Sequence, residues 1–306
     1  MTAAGPISVG IASRNRATSL VRCIASLEVL GDLVAEVIVV DDGSDVPVEP
    51  LLREQLTQRE QRSLRVERID PARGLAAART LAVRLASTPW VLNLDDDTVV
   101  ISVQAVDTAL KTLTEDPELF AVAFAQAELD GTPWPAGAQP APVDHPCRTA
   151  AFIGFAHLVR RDTFLALGGY REQLIINGEE RELCLRALDA GYGVVYLPDA
   201  RVAHLADPTG RDTRRYLHLT VRNGVLSSIY DDPFLLACVR LPTRLFSYFR
   251  MRGAWKVQDR GGFRTIMRWI LTDLRSALAQ RRPVRWATIR RWRALVRHAP
   301  PYRRPT

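Results

Sequence analysis

Two rhythms of apolar residues run through the first hundred positions. Residues 7–12 form a short apolar run, and 36–40 form another that is rich in β-branched side chains. Runs of that length read as buried strands. Between them, residues 18–30 place Leu20, Cys23, Ile24 and Leu27 at helical spacing, and Gly31 is a natural stop. Residues 48–60 read as a second helix, 64–69 alternate as a strand does, and 72–86 form an Ala-rich helix punctuated by Pro89. Residues 90–94 make the next strand. The order βαβαβαβ with short connections predicts an α/β fold, a parallel sheet covered by helices on both faces.

The rhythm then breaks. Residues 130–148 are rich in Pro, Ala and Gly and read as a loop long enough to be functional or mobile. Order resumes at 150–155, followed by a helix over about 161–167 that Gly168-Gly169-Tyr170 closes. A strong helix covers 179–190 and ends at Gly191. Short strands at 194–197 and 201–204 flank Pro198. Beyond 210 the pattern is helical, Arg-rich and Trp-rich, without internal repeats. The chain divides into an α/β body, 1–210, and a helical region, 211–306.

Polar residues cluster where the strands end. Ser13-Arg14-Asn15 follows the first, Asp41-Asp42 the second and Asp95-Asp96-Asp97 the fourth. Open α/β sheets bind ligands at the carboxyl ends of their strands, so a parallel sheet would bring all three clusters to one edge. Any one of them alone could be a turn or a helix cap. The third is the most costly, because adjacent carboxylates repel and burial makes that worse. A hard divalent cation, Mg²⁺ or Mn²⁺, takes oxygen ligands and bridges to phosphates. A departing nucleotide diphosphate is its obvious partner.

Charge sharpens the division. Of 41 basic and 34 acidic residues, 22 and 5 fall at or beyond position 211, so the last third carries +17 and the rest −10. An acidic body suits metal ions, and a basic region suits phosphates or anionic lipids. Arginines interleaved with aromatics suggest a basic amphipathic surface for an anionic membrane. With only Lys111 and Lys256 as lysines, base composition of the gene could also explain the arginines. The 47% hydrophobic and 25% charged fractions exclude disorder as the main state. Cys23, Cys147, Cys184 and Cys238 are scattered, which argues against a disulfide framework or a zinc site. The start lacks a signal-peptide pattern, and no run approaches the ~18 apolar residues of a membrane span. The expected location is the cytoplasm, with peripheral contact at the inner face of the membrane as an option.

Four ordered segments carry a family resemblance: VGIASRNRATSLVRCIASL (9–27), VIVVDDGSD (37–45), RGLAAARTLAVRLASTPWVLNLDDDT (73–98) and 154–204, with GGYREQLIINGEERELC at its centre. The chain resembles a GT-A glycosyltransferase of the family 2 type over roughly residues 7–225. The resemblance implies a GT-A fold, with a nucleotide-sugar half at about 1–100 and an acceptor half at about 101–210. It implies a donor that is a nucleotide-diphosphate sugar, UDP ahead of GDP or dTDP. The acceptor would be a hydroxyl on a glycan, a lipid-linked sugar or a small natural product. No nucleic-acid partner is expected. Asp41, Asp42, Ser13, Asn15 and Arg79 match nucleotide-side positions. Asp95 and Asp97 match the Asp-x-Asp metal pair, with Asp96 near the ribose or sugar. His204 matches a histidine near the diphosphate and metal, and Arg222 an Arg-Asn element downstream.

The acceptor motif departs from the usual Glu-Asp and reads Glu179-Glu180-Arg181-Glu182. Glu180 stands in the place of the general base, with Glu179 as the alternative, and a single base without an enzyme nucleophile implies inversion. Glu182 reads better as an i,i+4 partner of Arg186. Arg14 and Arg16 read as solvated loop charges in the bland reading. Two other functions stay open: a retaining GT-A transferase, and a non-catalytic nucleotide-sugar or polyanion binder. A nucleotidyltransferase would need a Gly-rich loop where this chain has SRNRATS.

Overall fold

The computed structural model describes residues 5–206 and 212–304. Strands β1 (Ile7–Ser13), β2 (Val34–Asp41), β3 (Leu64–Arg68) and β4 (Trp90–Asp95) lie parallel in the order β3-β2-β1-β4. Every residue of β1 is buried, as a strand covered on both faces requires. Val9, Ile11 and Val39 join one apolar cluster while Ala12, Ile38 and Val40 join the other, the two-residue period of a strand. Helix α1 (Ala17–Ser26) tightens into a 3-10 stretch over Leu27–Leu33, because Gly31 takes φ +52° and ends regular winding. The single helix expected over 48–60 is two. Between α2 (Val48–Gln55) and α3 (Gln58–Arg62), Thr57 leaves the helix and forms a capping box with Glu60. Helix α4 (Leu75–Leu85) covers the opposite face.

The second half makes the sheet mixed. It adds β5 (Thr98–Val99), α5 (Val103–Glu115), β6 (Leu119–Ala127), β7 (Cys147–Thr149), β8 (Ala156–Arg160), α6 (Arg161–Ala166), α7 (Glu179–Asp189) and β9 (Gly193–His204). Strand β8 runs antiparallel to both β4 and β6, and β6 pairs parallel with β9. Residues 150–155 form no strand; they lead into β8. The two strands expected around Pro198 are one. Leu197 pairs with Phe124 and Arg201 with Ala125, so residues 198–200 bulge out and Pro198 needs no ladder donor. The 130–148 loop is pinned rather than free: Gln139 and Gln126 exchange amide–backbone hydrogen bonds of 2.9 Å in each direction.

Helices α8 (Thr213–Asp231), α9 (Phe234–Ala254) and α10 (Gly262–Ala279) build an apolar cluster of their own around Leu217, Leu226, Tyr230, Tyr248 and Ile266. Helix α11 (Trp286–His298) returns to the body, where Trp292 joins the cluster beneath α4 and α7. The chain end follows it, Arg148 donating its backbone N–H to Pro300. The expected division at 210/211 falls outside the described residues. Cys23, Cys147 and Cys184 are buried free thiols, and Cys238 is exposed and free.

Candidate active site

The parallel strands deliver their polar ends to one cleft of about 680 Å³. Ser13, Asn15, Asp42, Arg79, Asp95–Asp97, Glu179, Glu180 and His204 all line it. So does the start of α8, through Arg215, Tyr216 and Leu219.

Two of the three carboxylates are out of solvent, and Asp95 is partly exposed. Asp96 and Asp97 are buried, and Arg16 reaches both, its guanidinium 3.2 Å from each. Arg16 is therefore part of the site and not a loop charge. Asp96 also accepts from the Ser13 hydroxyl at 2.7 Å. Burial still dominates there, against the Ser13 hydrogen bond and Arg16, and with its two acidic neighbours pushes the Asp96 carboxyl up to about 7. Such an environment is short of positive charge.

His204 faces that shortage. Its ring is stacked between Trp134 and Phe155, with centroids 5.2 and 5.1 Å away. Its Nδ1 lies 2.6 Å from Oε1 of Gln126, whose Nε2 donates to the Ala138 carbonyl. A carboxamide so oriented accepts from Nδ1–H, which turns Nε2 toward the cleft as the nitrogen that could ligate a metal. Nε2 stands 3.4 Å from Asp97. Ligand atoms of Asp95, Asp97 and His204 all lie within 4.8 Å of one another. Two carboxylates, an oriented imidazole and a deficit of positive charge fit a divalent cation, with the hard oxygens favouring Mg²⁺ or Mn²⁺.

On the other side of Asp95, Arg79 is the organising group. It projects from α4 into a buried position and binds Asp95, the Gly154 carbonyl at 3.0 Å, Glu179 at 3.4 Å and Glu180 at 3.3 Å. Burial alone would weaken its hold on the proton, but Asp95, Glu180 and Glu179 outweigh it and raise the pKa. The arrangement demands a bare backbone at Gly154. A Cβ there would come within 2.2 Å of the Glu180 carboxylate and 2.6 Å of the Arg79 guanidinium. Glu179 and Glu180 open α7 but differ in setting. Glu179 is 1% exposed, and burial followed by repulsion from Glu180 pushes it up to about 8. The Glu180 side chain is 19% exposed and opens to the cleft. The preceding turn is strained: Ile175, a β-branched residue, takes φ +61° while its carbonyl accepts from Ala76 at the start of α4.

Two expected site residues lie elsewhere. Asp41 is turned away from the cleft, held by Arg68 at 2.6 Å and the backbone of Ser44 at 2.9 Å, so it shapes the loop after β2. Asp42 alone faces the cleft, accepting from the backbone of Arg73 and Gly74. Arg222, a buried residue of α8, is paired with Asp273 of α10 and bonded to the Gln173 carbonyl. It braces the 173–177 turn from behind, together with Asn223. Glu182 is the expected partner of Arg186 and also takes Arg171. Sequence reasoning missed Gln126, Arg215 and Tyr216, which stand outside the quoted segments, and gave no role to Gly154, the first residue of the 154–204 segment. Asn15 clasps Asp45, fixing the loop after β1. None of the described residues of 130–148 lines the cleft, although Trp134 packs on His204.

Residues 8–162 match the model of glycosyl transferase family 2. A pre-mycofactocin glycosyltransferase of Mycobacterium tuberculosis is 30% identical over 210 residues, covering 65% of this chain and 42% of that protein. A putative polypeptide N-acetylgalactosaminyltransferase 10 of Drosophila melanogaster is 25% identical over 198 residues, 57% of this chain and 31% of that protein. The chain thus spans less than half the length of these curated relatives. Among solved structures, a mannosyltransferase of Pyrobaculum calidifontis in complex with GDP-Man and Mn²⁺ superposes with a TM-score of 0.58 at 16% identity, over 90% of this chain and 83% of that one. GalNAc-T7 with UDP, GalNAc and Mn²⁺ gives 0.60 at 18% identity, over 89% and 57%. Those likenesses establish the GT-A fold. With the family match covering half its length, the chain belongs to glycosyl transferase family 2.

Proposed function

We propose that the chain transfers a sugar from a nucleotide-diphosphate donor to an acceptor hydroxyl with inversion, using a divalent cation. The observation that carries this is the meeting, in one cleft, of Asp95, Asp97 and His204 as a candidate ligand set with Glu180, a partly exposed carboxylate that opens to the same cleft. Asp95, Asp97 and His204 would hold Mn²⁺ or Mg²⁺, which when bound stabilises charge on the departing diphosphate. Asp42, Ser13 and Asn15 border the end of the cleft suited to base and ribose. Arg16 fixes Asp96 and Asp97 as they face the donor. Glu180 takes the proton of the acceptor hydroxyl as its oxygen bonds to the anomeric carbon and the bond to the diphosphate breaks. Glu179, buried behind it, is in a poor position to compete. A UDP-sugar leads, since GalNAc-T7 carries UDP; the GDP-Man of the Pyrobaculum enzyme keeps GDP in play.

Peripheral membrane contact is part of this reading. Helix α9 exposes Phe234, Leu235, Val239, Phe246 and Phe249 beside Arg250 and Arg252. Among the described residues no helix is long and apolar enough to cross a membrane.

The test is a thermal-shift panel of UDP, GDP and dTDP with and without Mn²⁺, followed by donor hydrolysis. One nucleotide should stabilise the protein only with metal. Asp97→Asn should remove that shift and lower hydrolysis by roughly a hundredfold to a thousandfold, the several kcal/mol a cation supplies. Metal-independent binding that survives Asp97→Asn would favour a non-catalytic binder.

A further inference from the structure

A second cavity, of about 790 Å³, opens on the far side of α7 from the metal ligands, between α7, α8, α9 and α11. Asn177 lines both cavities, so they meet at the turn that starts α7. Successive residues of that helix serve them in turn: Glu180 borders the first and Arg181 the second.

The second cavity is rich in arginine. Arg181, Arg240, Arg244 and Arg250 line it, and its acids are largely committed. Glu182 is held by Arg171 and Arg186, and Asp232 by Arg240 at 2.6 Å and the Ser228 hydroxyl at 2.7 Å. Asp231 lies 3.6 Å from Arg171, and burial with repulsion from Glu182 raises its pKa. Arg181 has its guanidinium 5.5 Å over the Trp292 ring, and no carboxylate among the described residues pairs with it. Burial lowers the pKa of both Arg181 and Arg244, the latter to about 10; neighbouring Asp232 acts against this and Arg240 with it, and Arg244 also donates to the Gly224 carbonyl. Three guanidinium groups are thus gathered with less negative charge than they could use. Phe246, Met251 and Trp292 form an apolar wall beside them, continuous with the exposed apolar residues of α9.

We propose that this cavity is an acceptor subsite for a phosphate ester with an apolar body. Arg181, Arg244 and Arg250 bind the phosphate, the apolar wall takes the body, and the acceptor hydroxyl reaches Glu180 past Asn177. Planar guanidinium donors suit phosphate oxygens in pairs. The proposal rests on the reading of the first cleft as a sugar-transfer site.

The experiment measures binding to the full chain in EDTA, which disables metal-dependent nucleotide binding. The probes are decyl phosphate below its micellar concentration, decanol and inorganic phosphate. Decyl phosphate should bind, inorganic phosphate should compete with it more weakly, and decanol should bind at least tenfold more weakly, the scale of a charged hydrogen bond. Arg181→Gln should weaken decyl phosphate about tenfold, and Arg250→Gln, at an exposed position, should weaken it in the same direction. Circular dichroism melting checks that both variants fold. Inorganic phosphate binding as tightly as decyl phosphate would overturn the apolar body. Equal binding by the parent and both folded variants, or equal binding of decanol, would overturn the subsite. The Mn²⁺-dependent nucleotide shift of the parent reports the first cleft separately. Its loss with decyl phosphate binding intact would sink the transferase reading and not the cavity.

Discussion

Two acidic clusters meet in the cleft, and they are neutralised by different means. Asp95, Asp96 and Asp97 meet Arg16 and share Arg79 with the second cluster, so three carboxylates face one guanidinium of their own and one shared. Glu179 and Glu180 face Arg79, and burial leaves Glu179 holding its proton up to about pH 8. In the proposed reading a cation would complete the first cluster. The other completes itself with an arginine and a proton, and so leaves one carboxylate open for chemistry. The same residue type can thus be a ligand or a base, and burial and counter-charge decide which.

Arg79 touches both clusters, so removing it breaks the comparison most severely. Arg79→Met should destabilise the fold by about 3–5 kcal/mol, the cost of leaving buried carboxylates without their partner. Urea unfolding measures it. An unchanged midpoint would mean that the carboxylates find their neutralisation elsewhere.

Glu180→Gln sharpens the contrast from the acceptor side. It should lower the transfer rate by about 10²–10⁴-fold, the usual weight of general-base help, while the Mn²⁺-dependent nucleotide shift persists. That is the mirror image of the result expected for Asp97→Asn. The anomeric configuration of the product, read by proton NMR, separates inversion from retention. Further from the reaction, Gln126→Leu should weaken metal affinity about 10–100-fold by freeing the His204 tautomer. Titration of Mn²⁺ against nucleotide binding measures that loss.

The donor cluster was the legible one. Strands β1, β2 and β4 are apolar runs that end in polar residues, a pattern that lies within a few neighbours on the chain. The start of α7 was legible for the same reason, in its glutamates and the preceding glycine. What escaped depends on partners far away in sequence. Arg16 meets Asp96 across 80 residues, and His204 meets Gln126 across 78. Nothing local distinguishes Arg16 from Arg14, or marks Gln126 within the buried strand β6. Asp41 and Asp42 look alike in sequence, and only the Arg68 side chain shows which of them turns inward. The Arg-Asn pair at 222–223 was assigned to the site by resemblance alone, and its partner Asp273, on α10, lies 51 residues further along the chain. Residues 99–129 gave no element to sequence reading, yet α5 and β6 form there.

The last prediction tests the proton held by the second cluster. Glu179 has an ordinary value of 4.5 when unfolded and about 8 when folded. Between those values the native state holds a proton that the unfolded chain has released. Stability therefore falls as pH rises from about 4.5 to about 8, and levels off above that. Glu179→Gln removes the titrating group and should flatten this part of the profile, with the gain largest near pH 8. The difference in melting temperature between Glu179→Gln and the parent should therefore widen steadily from pH 5 to pH 8. Glu180→Gln should flatten it partially, because repulsion from Glu180 is the second cause of the raised value. Melting curves from pH 5 to 9 on the three proteins decide the matter. If the parent and Glu179→Gln profiles run parallel, Glu179 is ionised in the fold, and the acceptor cluster would need a cation as the donor cluster does.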